Sequence, residues 1–141
     1  MKKYEKTEED LAEKLISSNS LCVLATASLN GKPEAATIEY VYEGGDFYFV
    51  TKRGFVKYKN LKINPKASIV ITEGKNTVQI DGVVKELKGD DANMASSIMT
   101  SKLGQDPKIY LGSEWKSFKF TPTEIRTGVF IKISSRFQFE E

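Results

Sequence analysis

Short glycine-containing turns at three places most constrain what this chain can fold into. They are Leu29-Asn30-Gly31-Lys32, Glu43-Gly44-Gly45-Asp46 and Gly74-Lys75-Asn76. Such sequences favour the tight turns of β-hairpins, because glycine readily adopts the positive φ angles that these turns need. The flanking runs are rich in β-branched and aromatic residues, so we expect antiparallel strands joined by tight turns and not parallel βαβ crossovers.

Seven strands are predicted between these turns and in the last quarter of the chain. The first three should form a meander. Gly82 lies inside a predicted strand and indicates a bulge or a close approach by another backbone or a ligand. Pro122-Thr123 is predicted to end a strand. The predicted strands are Ser20–Ser28, Glu34–Glu43, Phe47–Thr51, Ala67–Glu73, Thr77–Leu87, Trp115–Thr121 and Glu124–Ile133.

Three helices are predicted from apolar residues at helical spacing. The first begins after Thr7, whose side chain could cap it, and runs to about Ser18. The second places Phe55, Tyr58 and Leu61 on one apolar stripe and stops at Asn64-Pro65, because the residue before proline avoids the α region. The third covers Gly89–Lys102, and Gly104 is suited to end it.

The predicted fold class is mainly β with helices, in one domain over residues 1–141. Six to seven mostly antiparallel strands, Greek-key-like, would close into a split β-barrel, because closure removes exposed strand edges. A flat, open α+β sheet is the alternative. Gln105–Gly112 is predicted to be irregular. The Arg136–Glu141 tail contains Phe137 and Phe139 and should pack on the barrel or on a second subunit.

The 141 residues include no histidine, which excludes a His-based catalytic triad, an imidazole metal site and an axial histidine for haem. The single cysteine, Cys22, lies in an apolar run and cannot form a disulfide within the chain. No signal peptide or membrane span is recognisable, so we expect a cytoplasmic protein. The net charge of +2 is too small to indicate a nucleic-acid-binding protein.

Positive charge is concentrated where the second predicted helix begins. Lys52, Arg53 and Lys57 lie there, beside backbone N–H groups that have no partner within the helix. Cations destabilise this end of a helix, whereas an anion such as phosphate stabilises it. The pattern therefore indicates a phosphate site, with a solvated basic turn as the alternative.

Four motifs occur in order along nearly the whole chain. They are Leu21-Cys22-Val23-Leu24-Ala25-Thr26, Asn30-Gly31-Lys32-Pro33, Phe49-Val50-Thr51 followed by Lys57 and Asn64-Pro65, and Trp115–Ile125 in the pattern WxxFxxxPxxI. In order and spacing they resemble the FMN-binding split-barrel superfamily, typified by pyridoxamine 5'-phosphate oxidase. The chain looks most similar to the short bacterial branch related to general stress proteins.

This resemblance implies an FMN site, although another flavin or a deazaflavin would suit the same fold. Lys57 falls on the family position that holds the FMN phosphate, and Lys52 and Arg53 are neighbouring candidates. The family forms homodimers with flavin at the interface, so a second subunit would complete each site. The other implied cofactor-binding residues are Ala36, Thr37 and Ile38 along the ring, Val50 and Thr51 beside it, Thr77 where the oxidase has glutamine, and Trp115 at its edge.

The chain also departs from the oxidase in two respects. The oxidase carries an Arg-and-His motif near its end for the substrate phosphate, whereas this chain ends with Ser135-Arg136-Phe137-Gln138-Phe139 and has no histidine. The family's phosphate-binding arginine on the second strand is replaced by the sequence Ala35-Ala36-Thr37. These differences argue against pyridoxamine phosphate oxidation.

Two functions follow from the resemblance. The first is an FMN-dependent oxidoreductase acting on a small molecule, with no assignable catalytic residue; the second is a non-enzymatic, stress-associated flavin-binding protein. A third hypothesis, single-stranded nucleic-acid binding, rests on lysines interleaved with aromatic residues between Lys52 and Lys66. We expect neither nucleic acid nor membrane as a partner, and no metal.

Overall fold

The structure is a computed structural model that describes residues 2–104, 114–133 and 136–140, with side chains described at 10–104 and 114–128. Three helices and eight strands occur in these ranges. The helices are α1 (Lys2–Ser18), α2 (Val56–Ile63) and α3 (Gly89–Leu103). The strands are β1 (Leu21–Ala27), β2 (Pro33–Glu39), β3 (Val41–Glu43), β4 (Asp46–Lys52), β5 (Lys66–Glu73), β6 (Asn76–Glu86), β7 (Trp115–Ile133) and β8 (Arg136–Glu140).

The strands form one antiparallel sheet in the order β2-β1-β5-β6-β7-β4-β3, and β8 pairs with β7. The two end strands of this order, β2 and β3, are consecutive in the chain and are separated only by Tyr40. Because the two edges of the sheet meet at this residue, the sheet has to curl into a barrel. The predicted mainly β split barrel is confirmed, and the flat open sheet is wrong.

Tyr40 forms the corner at which the curled sheet changes direction. It is buried, its backbone N–H donates to the Ser20 carbonyl at 2.9 Å, and its hydroxyl donates to the Ile16 carbonyl at 2.7 Å. The predicted single strand Glu34–Glu43 is therefore divided into β2, which pairs with β1, and β3, which pairs with β4. The predicted three-strand meander is wrong for this reason.

The core lies inside the barrel and is dominated by four phenylalanines. Phe47 and Phe49 of β4 and Phe118 and Phe120 of β7 are almost fully buried, and the Phe49 and Phe118 rings stack at 5.4 Å between centroids. Burying one such side chain contributes about 1.5–3 kcal/mol. Helix α1 adds Leu15 and Ile16 to the same core, so its amphipathic face covers the barrel interior. These contacts fix β4, whose end leads into the candidate site.

A bulge where β6 pairs with β7 explains why Pro122 does not end a strand, contrary to the prediction. The register shifts between Asp81 and Gly82, so that Asp81 pairs with Glu124 and Gly82 with Pro122. Pro122 has no N–H to donate, and a bulge tolerates that loss. The extra residue, Thr123, donates its hydroxyl to the Asp81 carbonyl at 3.1 Å. Strand β7 therefore continues, and the bulge predicted at Gly82 is confirmed.

The remaining helix and tail predictions agree with the structure apart from one boundary. Helix α1 begins at Lys2, so Thr7 lies within it and does not cap it. Helix α3 ends at Leu103 and is followed by its C-cap residue Gly104, whose φ of 66° is the left-handed conformation expected there. The tail forms β8 along β7, while Gln105–Gly112 lies outside the described residues.

Candidate functional site

The candidate site lies where β4 turns into α2. The Phe55 N–H donates to the Lys52 carbonyl at 3.1 Å, which closes a tight turn through Arg53 and Gly54. The Arg53 N–H donates to the Glu114 carbonyl at 2.9 Å, and Lys52 pairs with Trp115 across β4 and β7. These backbone contacts hold the turn against the beginning of β7.

The C-terminal part of α2 is anchored to the barrel by side chains. The Asn60 amide donates to the buried Thr26 hydroxyl at 3.1 Å, and the Asn64 amide donates to the Ala27 carbonyl at 3.3 Å. Glu86 of β6 accepts bonds from the Tyr58 hydroxyl and the Lys62 ammonium, both at 3.2 Å. Since α2 is held in this way, the position of its first turn is fixed relative to β1 and β6.

The first turn of α2 lacks the groups that normally compensate a helix N-terminus. Its N-cap residue, Phe55, makes no side-chain hydrogen bond to the helix, and no acidic residue lies in the first turn. None of the ion pairs among the described residues involves Lys52, Arg53 or Lys57. The free N–H groups and these uncompensated cations together suit an anion with several acceptor oxygens, such as a phosphate group.

A cavity of about 470 Å³ adjoins this turn. It is lined by Lys52, Arg53, Gly54, Phe55 and Glu114. The Lys52 ammonium also lies 5.2 Å from the centre of the Trp115 ring, within the range of a cation–π contact. The residues that line the cavity therefore include two basic residues, one acidic residue and the exposed Phe55.

Lys57 does not line that cavity, but it lies in the adjoining first turn of α2. The Lys57 ammonium lies 4.6 Å from the centre of the Phe55 ring, whereas Lys52 and Arg53 lie at the cavity. Phe55 itself is 46% exposed, while Tyr58 and Leu61 are buried. The predicted apolar stripe is therefore wrong at Phe55, because this residue precedes the helix and its ring remains at the surface.

The Thr51 hydroxyl is an unsatisfied polar group beneath the site. Its residue is 1% exposed, and its Oγ1 atom has no hydrogen-bond partner among the described residues. Leaving a buried hydroxyl unpaired costs about 1–3 kcal/mol. Val50, the preceding residue, is only half-buried, as expected from the alternation of side chains along β4.

A comparison with protein families identifies the family to which this chain belongs. The family described as pyridoxamine 5'-phosphate oxidase matches residues 8–127. This chain belongs to the pyridoxamine 5'-phosphate oxidase family. A comparison with curated proteins found no match.

Solved structures with the same fold include a haem storage protein, an FAD-binding protein and an F420 reductase. HutZ, the haem storage protein from Vibrio cholerae, is 16% identical with a TM-score of 0.75, over 86% of this chain and 93% of HutZ. An FAD-binding protein from Mesorhizobium loti is 18% identical with a TM-score of 0.69, over 82% and 89%. An F420 reductase is 17% identical with a TM-score of 0.65, over 81% and 94%. At these identities the likeness shows the fold alone.

Strand β2, which carries three of the predicted cofactor-binding residues, is an end strand of the sheet. Thr37 is exposed, Ala36 is half-buried, and Ile38 points into the core. Strand β2 pairs with β1 on one side and with no other described strand, so no described strand lies along the second side of Ala36–Ile38. Helix α2 packs near β1 and β2. This edge is therefore close to the element that carries Lys57.

Thr77 is not brought to the site within one chain. It pairs with Gly128 on β7, whereas Lys52 pairs with Trp115, and the two β7 positions are 13 residues apart (128 minus 115). That separation is about 40 Å along the strand. The Thr77 hydroxyl already contacts the Thr72 hydroxyl at 3.0 Å and the Ile71 carbonyl at 3.3 Å. Any contact of Thr77 with the same ligand would have to come from another copy of the chain.

Two residues of the candidate site were not predicted from the sequence as site residues. Phe55 resembles a helix core residue by spacing, and only its position after Gly54 and beside three basic residues hints at exposure. Glu114 gives no local signal, because it reaches the turn only through the pairing of β4 with β7.

Two classes of feature are absent from the described part of the chain. Within it, no three His, Cys, Asp or Glu side chains lie close enough together to hold a metal ion. No helix in the same ranges has the length and apolar character needed to cross a lipid bilayer.

Proposed function

We propose that the protein binds FMN with its phosphate at the first turn of α2. The proposal rests on the first turn of α2, which has no side-chain cap and no acidic residue. Lys57 lies in this turn and takes part in none of the ion pairs among the described residues. Lys57 also stands at the family's phosphate position, and Lys52 and Arg53 increase the positive potential around it. A phosphate there gains charge-assisted hydrogen bonds from the ammonium and the free N–H groups.

The flavin ring would lie along the open edge of β2, beside Ala36, Thr37 and Ile38. Backbone groups on that edge can hydrogen-bond the polar side of the ring, and the half-buried Val50 would contact its apolar part. The unpaired Thr51 hydroxyl would gain a hydrogen-bond partner from the bound cofactor. This arrangement uses the protein to bind and orient the cofactor, which supplies the reaction chemistry.

A homodimer would complete the site, with Thr77 contributed by the partner, whereas Trp115 of the same chain already lies beside Lys52. Strand β1 exposes Leu21 at 57% and Val23 at 38% on its outer face, between buried residues. A second copy covering this face would remove that apolar surface from water. Light scattering tests the dimer, since a mass of 15.8 kDa in solution would contradict it.

The reaction we propose is oxidation or reduction of a small molecule by the bound flavin, which carries hydride or electrons. No histidine is present, so the chain's own contribution is binding, orientation and charge. Pyridoxamine phosphate oxidation is not proposed, because Ala35, Ala36 and Thr37 occupy the region of the family's phosphate-binding arginine. A deazaflavin such as F420 would fit the same fold and is distinguished by the experiment below.

Haem is a less suitable cofactor for this chain than for HutZ. The chain has no histidine to serve as an axial ligand, and its only thiol, Cys22, is buried in β1. Burial also raises the pKa of Cys22 to about 12, which disfavours the thiolate that would bind iron. The uncompensated cations favour a phosphate-bearing cofactor instead.

The absorption spectrum of the purified protein, with mass analysis of the compound released on denaturation, tests this proposal. We expect FMN in the released fraction, or binding of added FMN. Bleaching by NADH or NADPH followed by turnover with a small-molecule acceptor supports an oxidoreductase. Bound flavin that neither reductant bleaches supports the non-enzymatic alternative. If no FMN binds even when it is added in large excess over the protein, the proposal is contradicted.

A further inference from the structure

Arg53 and Glu114 line a cavity that Lys57 does not line, although the Lys57 ammonium lies 4.6 Å from the ring of Phe55, which borders it. The cavity has a volume of about 470 Å³ and is bordered by an aromatic ring, two cations and one carboxylate. We propose that this cavity binds an adenine nucleotide moiety next to the flavin site. The inference depends on the proposed function only in placing the flavin phosphate at Lys57.

The exposed Phe55 ring provides a surface on which a planar base can stack. It is 46% exposed, although aromatic side chains are generally buried in the absence of a partner. Lys57 covers part of the ring at 4.6 Å from its centre, and the ring also borders the cavity that Lys57 does not line. Base–aromatic stacking on single rings is a common mode of nucleotide recognition and tolerates different bases.

The two cations and the carboxylate suit the other parts of a nucleotide. Lys52 and Arg53 belong to no ion pair among the described residues, so both can bind phosphate oxygens. Glu114 can accept hydrogen bonds from ribose hydroxyls, a role that acidic residues play in dinucleotide sites. Its charge would repel a 2'-phosphate, so we expect a preference for nucleotides with a free 2'-hydroxyl.

An adenine nucleotide could reach this cavity from two sources. It could be the adenylate half of FAD, whose flavin phosphate would occupy the Lys57 position. It could instead be a separate nucleotide, such as NADH, that binds beside FMN. Both sources present the same base, ribose and phosphate groups to the cavity. Binding measurements with FMN, FAD and 5'-AMP distinguish them.

The test compares binding of FMN, FAD and 5'-AMP by the full-length protein and by Phe55→Leu and Glu114→Gln variants. If FAD is the source, FAD binds more tightly than FMN, and Phe55→Leu lowers the FAD-to-FMN affinity ratio about tenfold, the scale of one lost stacking contact. If the nucleotide is separate, 5'-AMP binds to the FMN-loaded protein and Phe55→Leu weakens it by a similar factor. Lys59→Ala, an exposed change on α2 away from the cavity, should alter neither result.

A second comparison tests the role of Glu114. The wild-type protein should bind 5'-AMP more tightly than adenosine 2',5'-bisphosphate, and Glu114→Gln should reduce this preference. Phe55 and Glu114 are exposed, so thermal unfolding should show both variants folded.

Equal affinity for FMN and FAD, together with no binding of 5'-AMP, would overturn the nucleotide inference while leaving FMN binding intact. If no flavin binds, the proposed function fails. Titration of the flavin-free protein with 5'-AMP still tests whether the cavity binds a nucleotide. Binding of 5'-AMP that is unchanged in both variants places the nucleotide elsewhere and also overturns the inference.

Discussion

The Lys57 ammonium lies 4.6 Å from the centre of the Phe55 ring, and the same ring borders the cavity lined by Lys52 and Arg53. One aromatic side chain therefore contacts both places where an anion could bind. The contact also holds Lys57 near the first turn of α2, where the helix N–H groups are free. The two proposed binding sites are therefore neighbours, and variants of Lys57 and Phe55 should distinguish them.

Replacing Lys57 with alanine should weaken FMN binding by about 1–3 kcal/mol, the contribution of one charge-assisted hydrogen bond. Quenching of flavin fluorescence during titration measures the change. Lys59→Ala is the matched control, because it removes the same charge from an exposed position on the same helix. Riboflavin, which lacks the phosphate, should bind both variants equally. Equal FMN affinity in the Lys57 and Lys59 variants would reject the phosphate assignment.

Replacing Thr51 with valine should stabilise the flavin-free protein and weaken FMN binding. The substitution replaces an unpaired buried hydroxyl with a methyl group of similar size, so we expect a gain of about 1 kcal/mol in the free energy of unfolding. Urea unfolding with and without FMN measures both effects. Thr77→Val is the control for stability in the absence of FMN, because that hydroxyl is bonded and its loss should destabilise the protein by about 1 kcal/mol. A loss of stability in Thr51→Val would show that the hydroxyl has a partner.

Replacing Gly82 with alanine should destabilise the barrel by about 1–3 kcal/mol, because the added methyl group overpacks the bulge. A Cβ atom at this position would lie 2.5 Å from the Phe120 ring and 2.6 Å from the Thr121 carbonyl oxygen. Gly54→Ala is the matched control, since no atom lies within 4 Å of the corresponding Cβ. Thermal unfolding compares the two variants, and similar melting temperatures would contradict the packing argument.

Much of the fold could be predicted from the sequence because local residues determine it. The Asn30-Gly31 turn connects β1 to β2, and Gly31 has a φ of 86°. Gly82 marks the bulge, and Asn64-Pro65 follows the end of α2. In each case the backbone conformation that the residue favours is the one that the barrel requires.

The errors occur where distant parts of the chain determine the structure. Tyr40 divides one predicted strand because its hydroxyl reaches the Ile16 carbonyl, 24 residues away. Pro122 remains within β7 because Gly82 on another strand faces it. Glu114 reaches the candidate site through strand pairing. No local sequence pattern contains these contacts, so sequence analysis located the basic residues and did not show that Phe55 lies between Lys57 and the cavity.

The pH dependence of stability should reflect the buried thiol of Cys22, which is 4% exposed in β1. Burial raises its pKa from 9.0 to about 12 in the folded protein. Between these values the thiol ionises in the unfolded chain and remains protonated in the folded one. The unfolded state therefore binds fewer protons, and the free energy of unfolding falls as pH rises above 9, by up to about 1.4 kcal/mol per pH unit.

Urea unfolding between about pH 8 and about pH 10, a range that spans the ordinary pKa of a thiol, measures this effect. Cys22→Ala should reduce the downward slope, because the variant has no thiol to ionise. Tyr40 contributes in the same direction, since burial and repulsion from a Cys22 thiolate raise its pKa, so part of the slope should persist. A slope identical in the wild type and the variant would show that Cys22 ionises equally in both states. The wild-type thiol should also react with a thiol reagent at pH 8 only as fast as the protein opens.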